Sequence, residues 1–179
     1  GAVVASAVVA GNTLVAAIER MEARQGARKG LEIIAGKASA ARVAKEALAL
    51  AKQQGIARDE TFKTASGLVG AGGAPAKAVP VLRALAGLGA MGGASTEGMK
   101  RAMVNIQQIA GNGQLMGDEL KEMQQDGIMI RQALKEAGLA ARTGDQKNPI
   151  KWSELEAALI KWGESGQAAE LLKIRASMT

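Results

Sequence analysis

The sequence predicts an all-α protein, built as a bundle or array of short helices separated by glycine-rich turns. Apolar residues recur at helical spacing in several stretches, and many of the 23 glycines fall at the ends of those stretches. β-Branched residues are too sparse, beside abundant Ala, Leu, Lys, Glu and Gln, to support a sheet. The chain is 47% hydrophobic but only 2% aromatic, so its core must be made from aliphatic side chains and methionine.

Two regions are expected along the chain. Residues 1–37 are predicted to be an apolar helix and a connector, because the run from Ala2 to Ile18 carries no charge. This run is short and Ala-rich for a membrane span and is interrupted at positions 11–13, so a buried or self-associating helix is favoured over membrane insertion. Residues 38–179 are predicted to form a helical domain. The chain begins with Gly1 and not with Met, which indicates a piece of a longer protein.

Three amphipathic helices are the clearest elements, and each has an apolar stripe at helical spacing. The stripes are Val43, Ala47, Leu50 and Gln54; Met99, Met103, Ile106 and Ala110; and Leu155, Leu159 and Trp162. The predicted stops are Gly55, Gly111 and Gly163. The predicted starts are a cap at Ser95 and Thr96 for the second helix and a Ser153–Glu156 capping box for the third. Five weaker helices are expected over residues 59–69, 75–88, 118–125, 128–137 and 167–176.

Composition removes whole classes of chemistry. Cysteine and histidine are both absent, which excludes thiol nucleophiles, disulfides, imidazole bases and thiolate or imidazole metal sites in this chain. The net charge of +6 favours a partner with a negative surface, such as nucleic acid, a membrane or an acidic protein lumen. The cations at Arg20, Arg24, Arg28 and Lys29 form no dense run with interleaved aromatics, so a solvated basic face is favoured over a nucleic-acid platform.

Three local patterns are better explained by structure than by chemistry. Gly87, Gly89 and Gly92 match a dinucleotide-binding turn, but no strand precedes them, and a loop is predicted there. Asp118 and Glu119 are predicted to start a helix, where negative charge is favourable, and not to act as an acid–base pair. The methionines at 99 and 103 are predicted to be core, whereas a partner groove is left open for those at 116, 123 and 129. No catalytic, cofactor or metal site is predicted.

The stretch from Met99 to Ala137 carries a longer pattern. An amphipathic helix is followed by glycines, a pair of acidic residues, a Gln-containing helix and a glycine turn that leads into apolar residues. The pattern positions are Gln108, Gly113, Leu115, Gly117, Asp118, Glu119, Leu120, Gln124, Gly127, Ile128 and Ile130. This stretch resembles the tape-measure domain of phage and prophage tail proteins, and residues 44–55, 65–89 and 159–179 are similar to the flanking parts of that domain. The sequence departs from the family at Gln114, at Met129 and at Lys121–Glu122.

The resemblance implies a structural and assembly role and no enzyme activity. A tape-measure protein sets tail length, recruits tube subunits and leaves the tail when DNA is ejected. The implied partners are the tail tube protein, tail-tip or baseplate proteins and tail assembly chaperones, with a homo-oligomer that is a trimer by resemblance. The implied location is the virion tail, after assembly in the bacterial host cytoplasm, and DNA contact is not required. Two alternatives stay open: a membrane-inserting segment of a genome-delivery channel that uses Ala2 to Ile18, and a basic DNA-binding module.

Overall fold

The computed structural model describes the backbone of residues 2–179 and the side chains of residues 13–179. Its described backbone contains nine α-helices and no strand, which confirms the all-α prediction. The helices are α1 (Ala2–Ala35), α2 (Lys37–Gln54), α3 (Arg58–Gly70), α4 (Pro75–Gly92), α5 (Thr96–Asn112), α6 (Gly117–Gln125), α7 (Ile130–Glu136), α8 (Trp152–Gly163) and α9 (Gly166–Ser177). A 3-10 turn covers Ala140–Arg142. The expectation of short helices is wrong for α1, which is 34 residues long.

Helix α1 packs on the rest of the protein through its second half. Gly36, at φ 85°, separates it from α2, and α1 contacts both α2 and α3. Leu31 is buried in this contact. The side chains of residues 2–12 lie outside the described residues. Within the remainder of the predicted apolar run, Leu14, Val15 and Ile18 are exposed, so burial within the single chain is wrong for these three, and self-association of this helix stays a prediction.

The first two predicted amphipathic helices are confirmed, with one corrected end. All four stripe residues of α2 are buried, and Gly55 adopts the left-handed conformation that ends the helix. The Ser95 hydroxyl accepts a hydrogen bond from the Gly98 N–H at 3.0 Å, as a helix cap does. The predicted stop at Gly111 is wrong. Gly111 continues the helix, and the left-handed residue is Gly113, whose N–H donates to a carbonyl in the last turn.

The third predicted helix has the expected apolar face and a different start. Leu155, Leu159 and Trp162 are buried, but α8 begins at Trp152, ahead of Ser153. Glu154 therefore takes the capping position, and its carboxylate accepts from the Lys151 N–H at 3.0 Å. The predicted Ser153–Glu156 capping box is wrong because the chain before α8 is already fixed by a pairing with residues 113–115.

The five weaker helices are present as α3, α4, α6, α7 and α9, with shifts at some ends. Helix α4 continues four residues beyond the expected 88, and α7 begins at Ile130 because residues 127 and 128 are used to end α6. Asp118 and Glu119 lie in the first turn of α6, as predicted. Favourable interaction with the helix dipole accounts for the two carboxylates at this end.

Helix α4 is the centre of the fold and contacts α2, α3, α5, α7, α8 and α9. Gly87, Gly89 and Gly92, for which the sequence predicts a loop, lie inside this helix instead. A Cβ added at Gly87 would meet the ring of Trp162 at 2.9 Å, and one at Gly89 would meet the Met99 sulfur at 2.6 Å. Gly92 lies directly against the backbone of Gly127. These glycines let neighbouring elements approach α4 closely, which is how a core with few aromatic side chains is filled.

The methionine predictions divide in two. Met99 and Met103 are buried on the stripe of α5, as expected. Met123 is fully buried, Met129 packs partly against the core and Met116 is 44% exposed. A partner groove that uses all three of these methionines is therefore excluded.

The face assignment of α6 gives a direct stability test. Leu120 is buried and Lys121 is exposed. Leu120→Asp should lower the free energy of unfolding by at least about 2–5 kcal/mol, since it loses a buried leucine and adds an unpaired carboxylate. Lys121→Ala should change it by about 0.5 kcal/mol or less. Thermal unfolding followed by circular dichroism measures both, and equal melting temperatures would show that the face is wrongly assigned.

The packing role of glycine in α4 gives a second test. Gly92→Ala should destabilise the protein by about 1–3 kcal/mol, because its Cβ would overlap the Gly127 carbonyl, which belongs to the backbone. Gly111→Ala is the matched control, since its Cβ would meet no heavy atom within 4 Å and the residue is helical. That control should be neutral or stabilising by up to about 1 kcal/mol. A Gly92→Ala variant as stable as the control would contradict the close contact.

Candidate functional site

The motif residues meet in one helical corner formed by α5, α6 and α7. Gly113 ends α5 in the left-handed conformation at φ 81°, and Gly117 is the first residue of α6. The Glu119 carboxylate accepts from the Met116 N–H at 3.1 Å, which caps the start of α6. The chain therefore turns from α5 to α6 within a few residues.

The turn after α6 is held by backbone hydrogen bonds. The Ile128 N–H donates to the Met123 carbonyl at 2.9 Å, and the Gly127 N–H donates to the Gln124 carbonyl at 3.2 Å. This pair of bonds, with Gly127 at φ 85°, is the Schellman arrangement that ends a helix. Arg101 on α5 braces the turn through a bidentate pair with Asp126, at 2.8 Å for the shortest contact.

Most motif side chains are internal and only a few face solvent. The buried members are Leu115, Glu119, Leu120, Ile128 and Ile130. The exposed members are Gln108 on α5 and Asp118 on α6, and the Gln124 side chain accepts from the Arg131 N–H at 3.3 Å. The motif is thus mainly a folding element, and a partner would meet it only at its exposed residues.

An open groove of about 420 Å³ lies beside this corner. One wall is residues 114–118, and the other belongs to the loop over residues 142–150. The Leu115 N–H donates to the Ile150 carbonyl at 2.8 Å, and the Trp152 N–H donates to the Gly113 carbonyl at 2.8 Å. These two bonds hold the walls together at one end of the groove. No pattern in the sequence predicts that the loop over residues 142–150 forms part of a site.

Arg142 fixes the shape of this loop. Its guanidinium donates to both carboxylate oxygens of Glu154, at 2.7 and 2.9 Å, and to the Pro149 carbonyl at 2.9 Å. The same carboxylate accepts from the Lys151 N–H. These hydrogen bonds, first from Arg142 and then from Lys151, lower the pKa of Glu154 from 4.5 to about 2. Arg142 and Glu154 were missed from the sequence, because the residues that face one another depend on the path of the loop between them.

Carboxylates neutralise more of the positive charge on α1 than its sequence suggests. Arg24 pairs with Asp59 on α3 at 2.7 Å, and Arg28 lies 3.5 Å from Glu32 one turn away. Arg20 and Lys29 are exposed, and neither makes an ion pair within the part of the chain that the structure describes. Of the four cations predicted to form a basic face, these two are the ones that remain available to a partner.

The arrangement offers binding surfaces. Among the described residues, no group of three or more carboxylates is placed to hold a metal ion. No helix in the described part is long and apolar enough to cross a bilayer. The groove is lined by the Asp118 and Asp145 carboxylates and by glutamine amide groups, which suits hydrogen bonding to another polar chain. Oδ1 of Asp145 already accepts from the Lys147 and Asn148 N–H groups of its own loop. Comparison with models of protein families, with curated proteins and with solved structures finds no match for this chain.

The Arg142–Glu154 pair predicts a specific dependence of stability on pH. Between pH 4.5 and about 2 the unfolded chain binds a proton at Glu154 that the folded chain does not. The free energy of unfolding should therefore fall as the pH drops through this window. Glu154→Gln removes the titrating group, so its melting temperature should change less between these pH values.

The control for this experiment is Glu156→Gln on the same helix. Glu156 lies 3.7 Å from Lys77 and is not part of the loop clamp. This variant leaves the Arg142–Glu154 clamp intact, so the fall in melting temperature that is due to Glu154 should remain. The clamp would be contradicted by a Glu154→Gln variant whose melting temperature follows pH as steeply as that of the parent.

Proposed function

We propose that this chain is a helical segment of a phage or prophage tail tape-measure protein, with a structural and assembly role and no catalytic one. The observation that carries the proposal is the compact corner of α5, α6 and α7. There the positions of the tape-measure-like pattern act together: Gly113 ends one helix, Glu119 caps the next and Gly127 turns the chain into α7. A pattern whose members cooperate in one local structure is better support for the resemblance than matching letters alone.

The long helix α1 suits the measurement of tail length, and the compact remainder of the chain suits the binding of assembly partners. At about 1.5 Å per residue, α1 is about 50 Å long, and part of it extends beyond the contacts it makes with α2 and α3. Such an extended helix can run along a tube axis and contribute to a length measurement. The compact remainder offers a defined surface to assembly partners.

Charge supports a negatively charged partner at one end of the chain. Residues 1–57 contain eight basic and four acidic residues, whereas residues 58–179 contain fifteen and thirteen. The first third of the chain therefore carries +4 of the net +6. A tail lumen that later passes DNA is expected to be acidic, so we propose the tail tube protein as the partner of α1 and α2.

The other partners belong to the same proposal. Tail-tip or baseplate proteins, tail assembly chaperones and a trimeric state are implied by the resemblance and stay predictions, as do the virion-tail location and assembly in the bacterial cytoplasm. The two alternatives, a membrane-inserting segment and a DNA-binding module, also stay predictions. Binding to lipid vesicles or to duplex DNA, measured beside binding to the tube protein, distinguishes the three.

Binding to the tube protein should be sensitive to salt. Exposed charges are screened over about 8 Å at physiological ionic strength, so raising the salt several-fold above that value should weaken binding about tenfold. The double variant Arg20→Gln, Lys29→Gln should show the same weakening at low salt, because it removes the two uncompensated cations of α1. Neutralising Arg24 and Arg28 as well should add little, since both already face carboxylates.

The control removes two positive charges elsewhere. Arg131→Gln with Lys135→Gln on α7 changes the net charge equally and leaves α1 intact. It should bind like the parent chain. An affinity that ignores both salt and the α1 variant would mean that the positive charge is only a solvated surface, and tight binding to DNA or vesicles in place of the tube protein would favour the corresponding alternative.

A further inference from the structure

The outward face of α1 has no partner among the described residues, although it carries large apolar side chains. With about 100° of rotation per residue, Glu22 lies about 180° from the buried Leu31, and Val15, Lys29 and Ile33 lie within about 20° of Glu22. Val15 is 54% exposed and Ile33 is 86% exposed. This face therefore points away from α2 and α3. Val15 and Ile18 are neighbouring exposed apolar side chains at one end of this face, and Ile33 is an exposed apolar side chain about 22 Å from Ile18 at the other end.

We propose that two copies of this chain associate through this face, with their α1 helices antiparallel. The charges select this orientation. Glu22 and Lys29 are exposed, and neither makes an ion pair in the described part of the chain. A parallel pair in register would bring each of these residues against its own like charge. An antiparallel pair centred between Gln25 and Gly26 brings Glu22 of each copy against Lys29 of the other.

The same register matches the rest of the face. It places Ile18 of one copy against Ile33 of the second copy, at both ends of the contact, and Ile18 is 46% exposed in the single chain. At the centre lies Gly26, where an added Cβ would meet no heavy atom within 4 Å. Its missing side chain leaves room for the second helix to approach, so the contact has apolar ends, two ion pairs and an open middle.

The contact is small, which sets the expected strength. Facing residues run from 18 to 33, about 22 Å of helix at about 1.5 Å per residue. Two helices of this length bury less than the roughly 1,200–2,000 Å² of a stable interface, so we expect a weak, reversible dimer that forms only at high protein concentration. The inference does not rest on the proposed function, and it predicts a different oligomeric state from the trimer that the resemblance implies. Lys29 takes part in both proposed contacts, so a dimer formed through this face would compete with the tube protein for that residue.

Charge exchange tests the pairing in solution. Sedimentation velocity over a range of concentrations should show a monomer–dimer equilibrium. Glu22→Lys alone, or Lys29→Glu alone, should weaken dimerisation about tenfold, because both symmetric ion pairs become repulsive. The double variant that exchanges the two charges should restore the affinity of the parent. Glu46→Lys on α2 is the matched control and should dimerise normally. A chain that is monomeric at all accessible concentrations, or a double variant that is not restored, overturns the proposal.

Cross-linking tests the orientation, and a chain with no natural cysteine makes the experiment unambiguous. Ile18→Cys and Ile33→Cys both replace exposed residues, so neither should disturb folding. Mixed under oxidising conditions, the two variants should form a disulfide with each other faster than either forms one with itself. Preferential linkage of Ile18→Cys to another copy of the same variant indicates parallel helices, and the antiparallel proposal would then be wrong.

Discussion

The architecture depends on how closely other elements can approach α4. More than half of this helix is buried and six other helices contact it, yet the chain provides only three aromatic side chains to fill space. Distances between packed helices are set by the side chains at the contact. At Gly87 the Trp162 ring takes the place of a Cβ, and at Gly92 the backbone of the α6–α7 turn does so. The positions of α8 and of the motif corner therefore depend on the absence of a Cβ atom at Gly87 and Gly92 of α4.

This dependence explains which features the sequence could predict. Apolar stripes report burial on one helix face, and Val43, Met103 and Leu159 are buried as their spacing indicates. A glycine in the sequence indicates only that the backbone can adopt unusual conformations or approach another element closely there. Gly55 and Gly113 use that freedom to end helices, whereas Gly87 and Gly92 use the absence of a side chain inside one. Local sequence does not distinguish the two uses, because the deciding atom belongs to another helix.

The candidate site was predictable in part for the same reason. The start of α6 was identified because Asp118 and Glu119 act within one helical turn. The start of α8 was misplaced, since the Trp152 N–H is held by the Gly113 carbonyl, which is distant in sequence. The choice of Glu154 as partner for Arg142 likewise depends on how the loop returns to α8. Residue spacing predicts a cap that acts within one helical turn. A pairing across a loop can be predicted only when the path of that loop is known.

Because most motif side chains are buried, the motif bears on how this corner folds more than on which partner it binds. Residues such as Leu120, Ile128 and Ile130 are internal, so their pattern specifies the fold of the corner. Partner recognition must then use the few exposed members of the pattern, such as Gln108 and Asp118, or residues that the pattern does not contain. The excess positive charge and the large unpartnered isoleucine side chain of Ile33 both belong to α1 and α2, while the corner has its own ion pair between Arg101 and Asp126. On a surface that is both basic and partly apolar, the charges orient an approaching partner, and the apolar area stabilises the contact once it has formed. We therefore expect specificity for a partner to come from the α1–α2 end of the chain.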